Sequence, residues 1–156
     1  MGTRIARWVR WVGPTTMALA LHGCGSNPTG PQLTNGSITA QIDGGSFTAT
    51  TIAATYTSGI MGIAGTDAQG RTIGLGGQVP GPGTYTVGVT SPANFSVTIG
   101  SAGWQAAITL GSGSLTVTSI SAAGAKGTFQ FTAGPVSGTT ASGTKVVTAG
   151  AFDVKF

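Results

Sequence analysis

Glycine sets the terms on which this chain can fold. It occurs 28 times in 156 residues, and from Leu33 onward it interrupts nearly every apolar run. A glycine inside a helix costs about 1 kcal/mol relative to alanine. Apolar residues also fail to recur at i, i+3 and i+4 over any long window, so helix is excluded as the main element. What lies between the glycines is short apolar/polar alternation bounded by turn residues, the pattern of strands.

The alternation can be followed along the chain. Ile38, Ala40 and Ile42 alternate with Thr39 and Gln41, and Asp43-Gly44-Gly45-Ser46 then supplies a hairpin turn, because glycine accepts positive φ. Phe47–Thr57 returns with Ile52, Ala54 and Tyr56 on one face; Ile60–Thr66 follows, and Asp67-Ala68-Gln69-Gly70 turns into Arg71–Leu75. The breaker cluster Val79-Pro80-Gly81-Pro82-Gly83 leads into Thr84–Thr90, and Pro92-Ala93-Asn94 leads into Phe95, Val97 and Ile99. Trp104–Leu110 and Ser114–Ile120 come next, divided by Gly111-Ser112-Gly113. Thr128–Thr132 places Phe129 and Phe131 on one face. Ala151–Phe156 places Phe152, Val154 and Phe156 on one face, with Asp153 and Lys155 on the other. Gly134–Thr144, rich in Gly, Ser and Thr, reads as a loop.

These segments predict an all-β domain of about nine or ten short strands, an antiparallel β-sandwich or, alternatively, a closed or partly open β-barrel. Half-buried antiparallel sheets alternate in this way, whereas buried parallel ones do not. The apolar content is lean, and the solvent face is Thr and Ser rather than Lys and Glu. Charge-poor strand edges favour self-association.

The first 23 residues read as an address. Met1–Trp11 carries Arg4, Arg7 and Arg10; Val12–Leu21 is a short, mostly apolar run. A basic region, a short apolar region and a small residue before the cut make a secretory signal. The apolar run of about ten residues falls short of the roughly 20 that span a bilayer. Met1-Gly2 does not continue as a myristoylation signal, because position 6 is Ala6. Leu21-His22-Gly23-Cys24 resembles a bacterial lipobox, with His22 where a smaller residue is usual. The resemblance implies cleavage between Gly23 and Cys24 and a fatty-acylated Cys24 as the mature N-terminus. Gly25–Pro31 then reads as a polar tether. The expected organisation is a signal peptide over 1–23, a flexible tether over 24–36 and a single β-domain over 37–156.

Removing that segment changes the electrostatics. The chain has a formal charge of +4, but three of its seven positive residues are Arg4, Arg7 and Arg10. Beyond residue 23, Arg71, Lys126, Lys145 and Lys155 face Asp43, Asp67 and Asp153, which leaves +1. No basic cluster remains to neutralise phosphates, so nucleic acid is not an expected partner.

The β-domain resembles a family of small uncharacterised bacterial lipoproteins. The residues that carry the resemblance are Ile38–Ala49 with its Ile-Asp-Gly hairpin, the turn Gly83-Thr84-Tyr85, the strand Gly127–Thr132 and the terminal Gly150–Phe156. Such a family implies an all-β domain on a lipid anchor and supplies no catalytic residues.

The residue inventory closes off most chemistry. The chain has one Cys, one His and no Glu, and the His is His22. A Ser-His-Asp triad or a Cys-His pair is therefore not expected in the mature chain, and neither is a zinc site with His or Cys ligands. The three Asp are spread over separate elements, and two sit in turn signals where carboxylates bond nearby backbone N–H groups. One isolated Asp per turn is too few oxygens for calcium. Ser142-Gly143-Thr144-Lys145 spells S-x-x-K, but without a helix to set the Lys one turn from the Ser, and with no S-D-N or K-T-G elsewhere. Gly74-Leu75-Gly76-Gly77 has no helix behind it to hold a phosphate, and reads as a strand end or bulge. Tyr56 and Tyr85 follow the apolar faces of their strands. Trp104, the only Trp after residue 23, is the candidate ligand contact by stacking.

The expectation is a non-catalytic β-domain with no cofactor and no metal, lipid-anchored in the cell envelope. Gly25, where an Asp would favour inner-membrane retention, points to the outer membrane if the organism has one. The alternative is a module that binds a glycan or small ligand at the cell surface, with a protein or glycan as partner.

Overall fold

The computed structural model describes residues 36–88 and 93–156. Cys24, Gly23 and the expected signal peptide lie outside the described residues, as does nearly all of the tether. The described residues form ten strands: β1 (Gly36–Ile42), β2 (Gly45–Thr57), β3 (Ile60–Asp67), β4 (Arg71–Gln78), β5 (Gly83–Thr86), β6 (Asn94–Ile99), β7 (Ala102–Ala106), β8 (Gly111–Ser121), β9 (Gly124–Pro135) and β10 (Lys145–Lys155). Every pairing is antiparallel.

The all-β, antiparallel expectation holds, and of its two forms the closed one is found. Eight strands make a barrel in the order β10-β1-β2-β3-β4-β6-β7-β9, and β9 pairs again with β10. Closure depends on two strands that change partners. β2 pairs with β1 through Gly45–Thr48 and with β3 from Ala49 onward, with a register shift between Ala49 and Thr51. β9 runs beside β8 up to Ala133 and beside β7 at Gly134 and Pro135. β8 carries β5 on its outer edge.

The turns follow the local chemistry. Asp43-Gly44 and Ser58-Gly59 are two-residue hairpin loops with φ of 49°, 81°, 52° and 80°, the type I′ geometry whose twist matches that of the flanking strands. Two segments depart from the sequence pattern. Ala107–Leu110, expected to continue a strand, is a turn in which the Leu110 and Gly111 N–H groups donate to the Ala107 carbonyl. Ile108 and Leu110 there are 61% and 40% exposed, so their alternation reflects no buried face. Gly134 and Pro135, expected to open a loop, are instead the residues that close the barrel.

An eight-stranded barrel has an interior just wide enough for side chains to fill it. Here Phe95, Phe131, Phe129 and Phe152 run through the interior, with successive ring centroids 5.3, 6.3 and 6.5 Å apart. Ile38, Ile42, Phe47, Met61, Ile73, Leu115, Val117 and Val147 are among the residues that pack around them in the core. The outward positions carry hydroxyls: Thr51, Thr66, Thr72 and Thr98 stand opposite one another across β2, β3, β4 and β6. Thr84, Thr116 and Thr128 do the same across β5, β8 and β9. Apolar inside and hydroxyl outside is the reverse of a membrane-spanning barrel, whose outer wall is apolar. Among the described residues no helix is long and apolar enough to cross a membrane.

Candidate functional site

Four of the seven charged residues among those described gather at one end of the barrel. At the end that holds the β1–β2 and β3–β4 turns, two ion pairs lie over the core. Asp67, at the end of β3, is 5% exposed, and it is the one buried charged residue among those described. Its Oδ1 accepts from the backbone N–H groups of Gln69 (3.0 Å) and Arg71 (2.9 Å), and its Oδ2 accepts from Arg71 Nε at 2.7 Å. Burial pushes the Asp67 carboxyl upward. The Arg71 backbone N–H, the guanidinium and the Gln69 N–H outweigh it and hold the group below the usual carboxylate value. Arg71 also donates to the Ser46 carbonyl at 2.5 Å, and its guanidinium carbon lies 5.8 Å from the centroid of the Phe47 ring.

The second pair joins residues distant in sequence. Lys145 Nζ donates to Asp43 Oδ2 at 2.7 Å, while Asp43 Oδ1 accepts from the Val146 N–H at 2.9 Å. The Asp43 N–H returns a bond to the Val146 carbonyl at 2.8 Å. The hydrogen bond from Lys145, followed by that from Val146, lowers the Asp43 carboxyl below its usual value. On its other side Lys145 Nζ stands 5.0 Å from the centroid of the Trp104 ring. Both pairs thus set a cation against the face of a core aromatic, an attractive arrangement for the ring quadrupole.

Trp104 is 7% exposed. Its indole N–H faces the carbonyls of Ser142 (3.4 Å) and Gly143 (3.2 Å) in the loop between β9 and β10. A stacking platform needs an open ring face, and this ring is a core residue beneath a loop and a lysine. The sequence does not fix its exposure, because β7 is short and Trp104 directly follows Gly103 within it; its parity with buried Ala106 places the ring inward.

The remaining candidates are also accounted for. Asp153 pairs with Lys126 at 2.7 Å on the outer wall, where both side chains are more than half exposed. The ammonium of the S-x-x-K stretch is the one held by Asp43, and its Ser142 offers a carbonyl to Trp104. Gly74, Leu75, Gly76 and Gly77 all lie within β4, and a Cβ at Gly74 would meet Ser96 Oγ at 2.5 Å. Tyr56 and Tyr85 are packed against the core and donate to the carbonyls of Val79 (3.2 Å) and Gly81 (2.6 Å). Among the described residues no three His, Cys, Asp or Glu gather in a metal-binding arrangement. The surface depressions are shallow strips of the outer wall, one lined by Ala53, Gly62, Ala64, Gly74, Gly76 and Ser96.

A model for a domain of unknown function, DUF6252, matches residues 34–153. The chain belongs to this family. The DUF6252 match runs from just before β1 to within β10 and so takes in the barrel except the last two residues of β10. Comparison of the DUF6252 chain with curated proteins and with solved structures finds no match to either.

Proposed function

We propose that this DUF6252 protein is a lipid-anchored component of the bacterial cell envelope whose barrel is a non-catalytic structural or interaction module. The observation that carries the reading is the state of its acids. Each of the three Asp residues is engaged by a cation: Asp43 by Lys145, Asp67 by Arg71 and Asp153 by Lys126. General acid–base or nucleophilic chemistry needs a group free to take or give a proton beside a substrate, and these carboxylates are tied into turns and wall. The chain holds no Glu, and its one His is His22 in the expected signal peptide. The anchor rests on Leu21-His22-Gly23-Cys24, and the hydroxyl-covered outer wall suits a domain held in water beside a membrane rather than within one.

Metabolic labelling with a fatty-acid analogue tests the anchor. Label on the full-length protein that disappears in Cys24→Ala is the expected result. An unlabelled wild-type protein, or a label that persists in Cys24→Ala, removes the anchor from the reading.

A further inference from the structure

The contacts define one end of the barrel as the end at which the anchor enters. Gly36 pairs with Val154 at the close of β10. Two residues on, the Phe156 N–H donates to the Ala123 carbonyl, and the Phe156 ring stacks on Tyr56 at 5.4 Å. Tyr56 donates to Val79, and the Val79 N–H donates to the Gly59 carbonyl at 2.6 Å. The β2–β3 turn, the Val79-Pro80 segment, the β8–β9 turn and the start of β1 therefore share one rim. From that rim Ile60 projects at 62% exposure, beside exposed Pro80. Lys155, exposed and in no ion pair among the described residues, lies there beside the Lys126–Asp153 pair, so the charged side chains at this end sum to +1. The opposite rim carries Asp43, Asp67, Arg71 and Lys145, which sum to zero.

We infer that the Gly36 rim is the membrane-facing end of the domain, with Ile60 at the lipid interface and Lys155 toward anionic headgroups. The inference rests on the anchor at Cys24 and adds the orientation to it. Geometry supplies the argument. The eleven residues of β10, at about 3.3 Å each and tilted by about 40°, make the wall about 28 Å tall. The twelve residues from Cys24 to Gly36 span at most about 40 Å when fully extended. Turning the opposite rim to the bilayer would commit most of that length to running back along the wall, whereas the Gly36 rim meets the surface with the tether unstretched. One exposed isoleucine and one lysine are a weak membrane contact in free solution. Tethering makes the contact intramolecular and raises its effective concentration.

The test uses the full-length lipidated protein in vesicles of phosphatidylcholine with one-quarter phosphatidylglycerol. Once Cys24 is a thioether, a cysteine introduced elsewhere is the only free thiol, so Ile60→Cys and, in the exposed β3–β4 turn of the opposite rim, Ala68→Cys can each carry one environment-sensitive dye. The expected result is a blue shift and intensity gain on vesicle binding at position 60 and none at position 68, with a smaller gain at 60 on pure phosphatidylcholine. A Pro80→Cys probe reads the same rim as position 60 if labelling there disturbs the hairpin. Flotation separates the two ideas. Protein that floats with vesicles but shows no shift at 60 or 80, or a shift at 68, overturns the orientation and leaves the anchor standing. Protein that does not float overturns both.

Discussion

The ring of Phe129 lies over Gly150, its antiparallel neighbour on β10, and a Cβ built on Gly150 would stand 2.5 Å from the ring. The same strands repeat the arrangement with roles exchanged: Phe152 of β10 covers Gly127 of β9, at 2.7 Å from a Cβ there. All four positions are buried. Each glycine leaves the hollow that its cross-strand phenylalanine fills, so the glycine-rich composition and the few aromatics are two halves of one packing scheme.

Gly150→Ala and Gly127→Ala should therefore each destabilise the domain by about 1–3 kcal/mol, the usual cost of forcing atoms into a filled core. Gly81→Ala is the control. Nothing lies within 4 Å of its Cβ position, and its φ is not among the positive ones. It should be neutral or stabilise by up to about 1 kcal/mol through the unfolded chain. Urea denaturation followed by far-UV circular dichroism measures all three. Equal stability of Gly150→Ala and Gly81→Ala would contradict the packing argument.

The two ends of the ion-pair range should separate as sharply. Asp67 is buried and holds two turn N–H groups and a guanidinium. Asp67→Ala leaves these donors and a partly buried cation without a partner, and should cost about 3 kcal/mol or more. Asp153 pairs with Lys126 in open solvent, and Asp153→Ala should change stability by less than about 0.5 kcal/mol. Denaturation midpoints of the two variants, compared with wild type, decide the point.

The sequence carried the local chemistry of this fold far better than its closure. The Ile38-x-Ala40-x-Ile42 alternation and the turn signal Asp43-Gly44-Gly45-Ser46 mark the first hairpin, because face and turn are both set within a dozen residues, although the loop proves to be Asp43-Gly44 alone. The barrel depends on Gly36–Ile42 meeting Val147–Val154, more than a hundred residues away, and on the changes of partner within β2 and β9. No local pattern specifies such a pairing. The turn role of Asp67 was legible from Asp67-Ala68-Gln69-Gly70. Its burial was not, because Arg71 covers it from the next strand while reaching across to Ser46. The Asp43–Lys145–Trp104 cluster draws on three distant elements, each of which alone reads as a turn, a strand start or a lone aromatic.

Acid should weaken the domain through the two lowered carboxyls. A group whose folded pKa lies below its unfolded value contributes stability that is complete above the unfolded value and is lost as pH falls through the folded one. Asp43 and Asp67 both lie below the ordinary 3.8 in the folded protein. Stability should thus be level from neutrality down to about pH 5 and fall below about pH 4, as these carboxylates take up protons. Asp67→Asn should flatten the fall. Urea midpoints at half-unit pH steps give the curve, and a wild-type loss centred near pH 6 would contradict it.

Trp104 provides the last test, because it is the only Trp after residue 23. In the Cys24→Ala chain begun at residue 24, its emission should be blue-shifted and poorly quenched by iodide, as befits a ring 7% exposed. Trp104→Phe keeps most of the apolar bulk and removes the N–H that faces Ser142 and Gly143. Losing that donor, together with some packing, should cost about 1–3 kcal/mol. Amide exchange should accelerate most between Val136 and Thr144, the stretch whose far side the indole holds, while the Ile38–Ile42 amides remain protected. A panel of neutral glycans should leave wild-type Trp104 fluorescence unchanged, since binding by stacking would first require that loop to lift. Quenching by a glycan, with faster exchange in the same loop, would return Trp104 to the role of ligand contact.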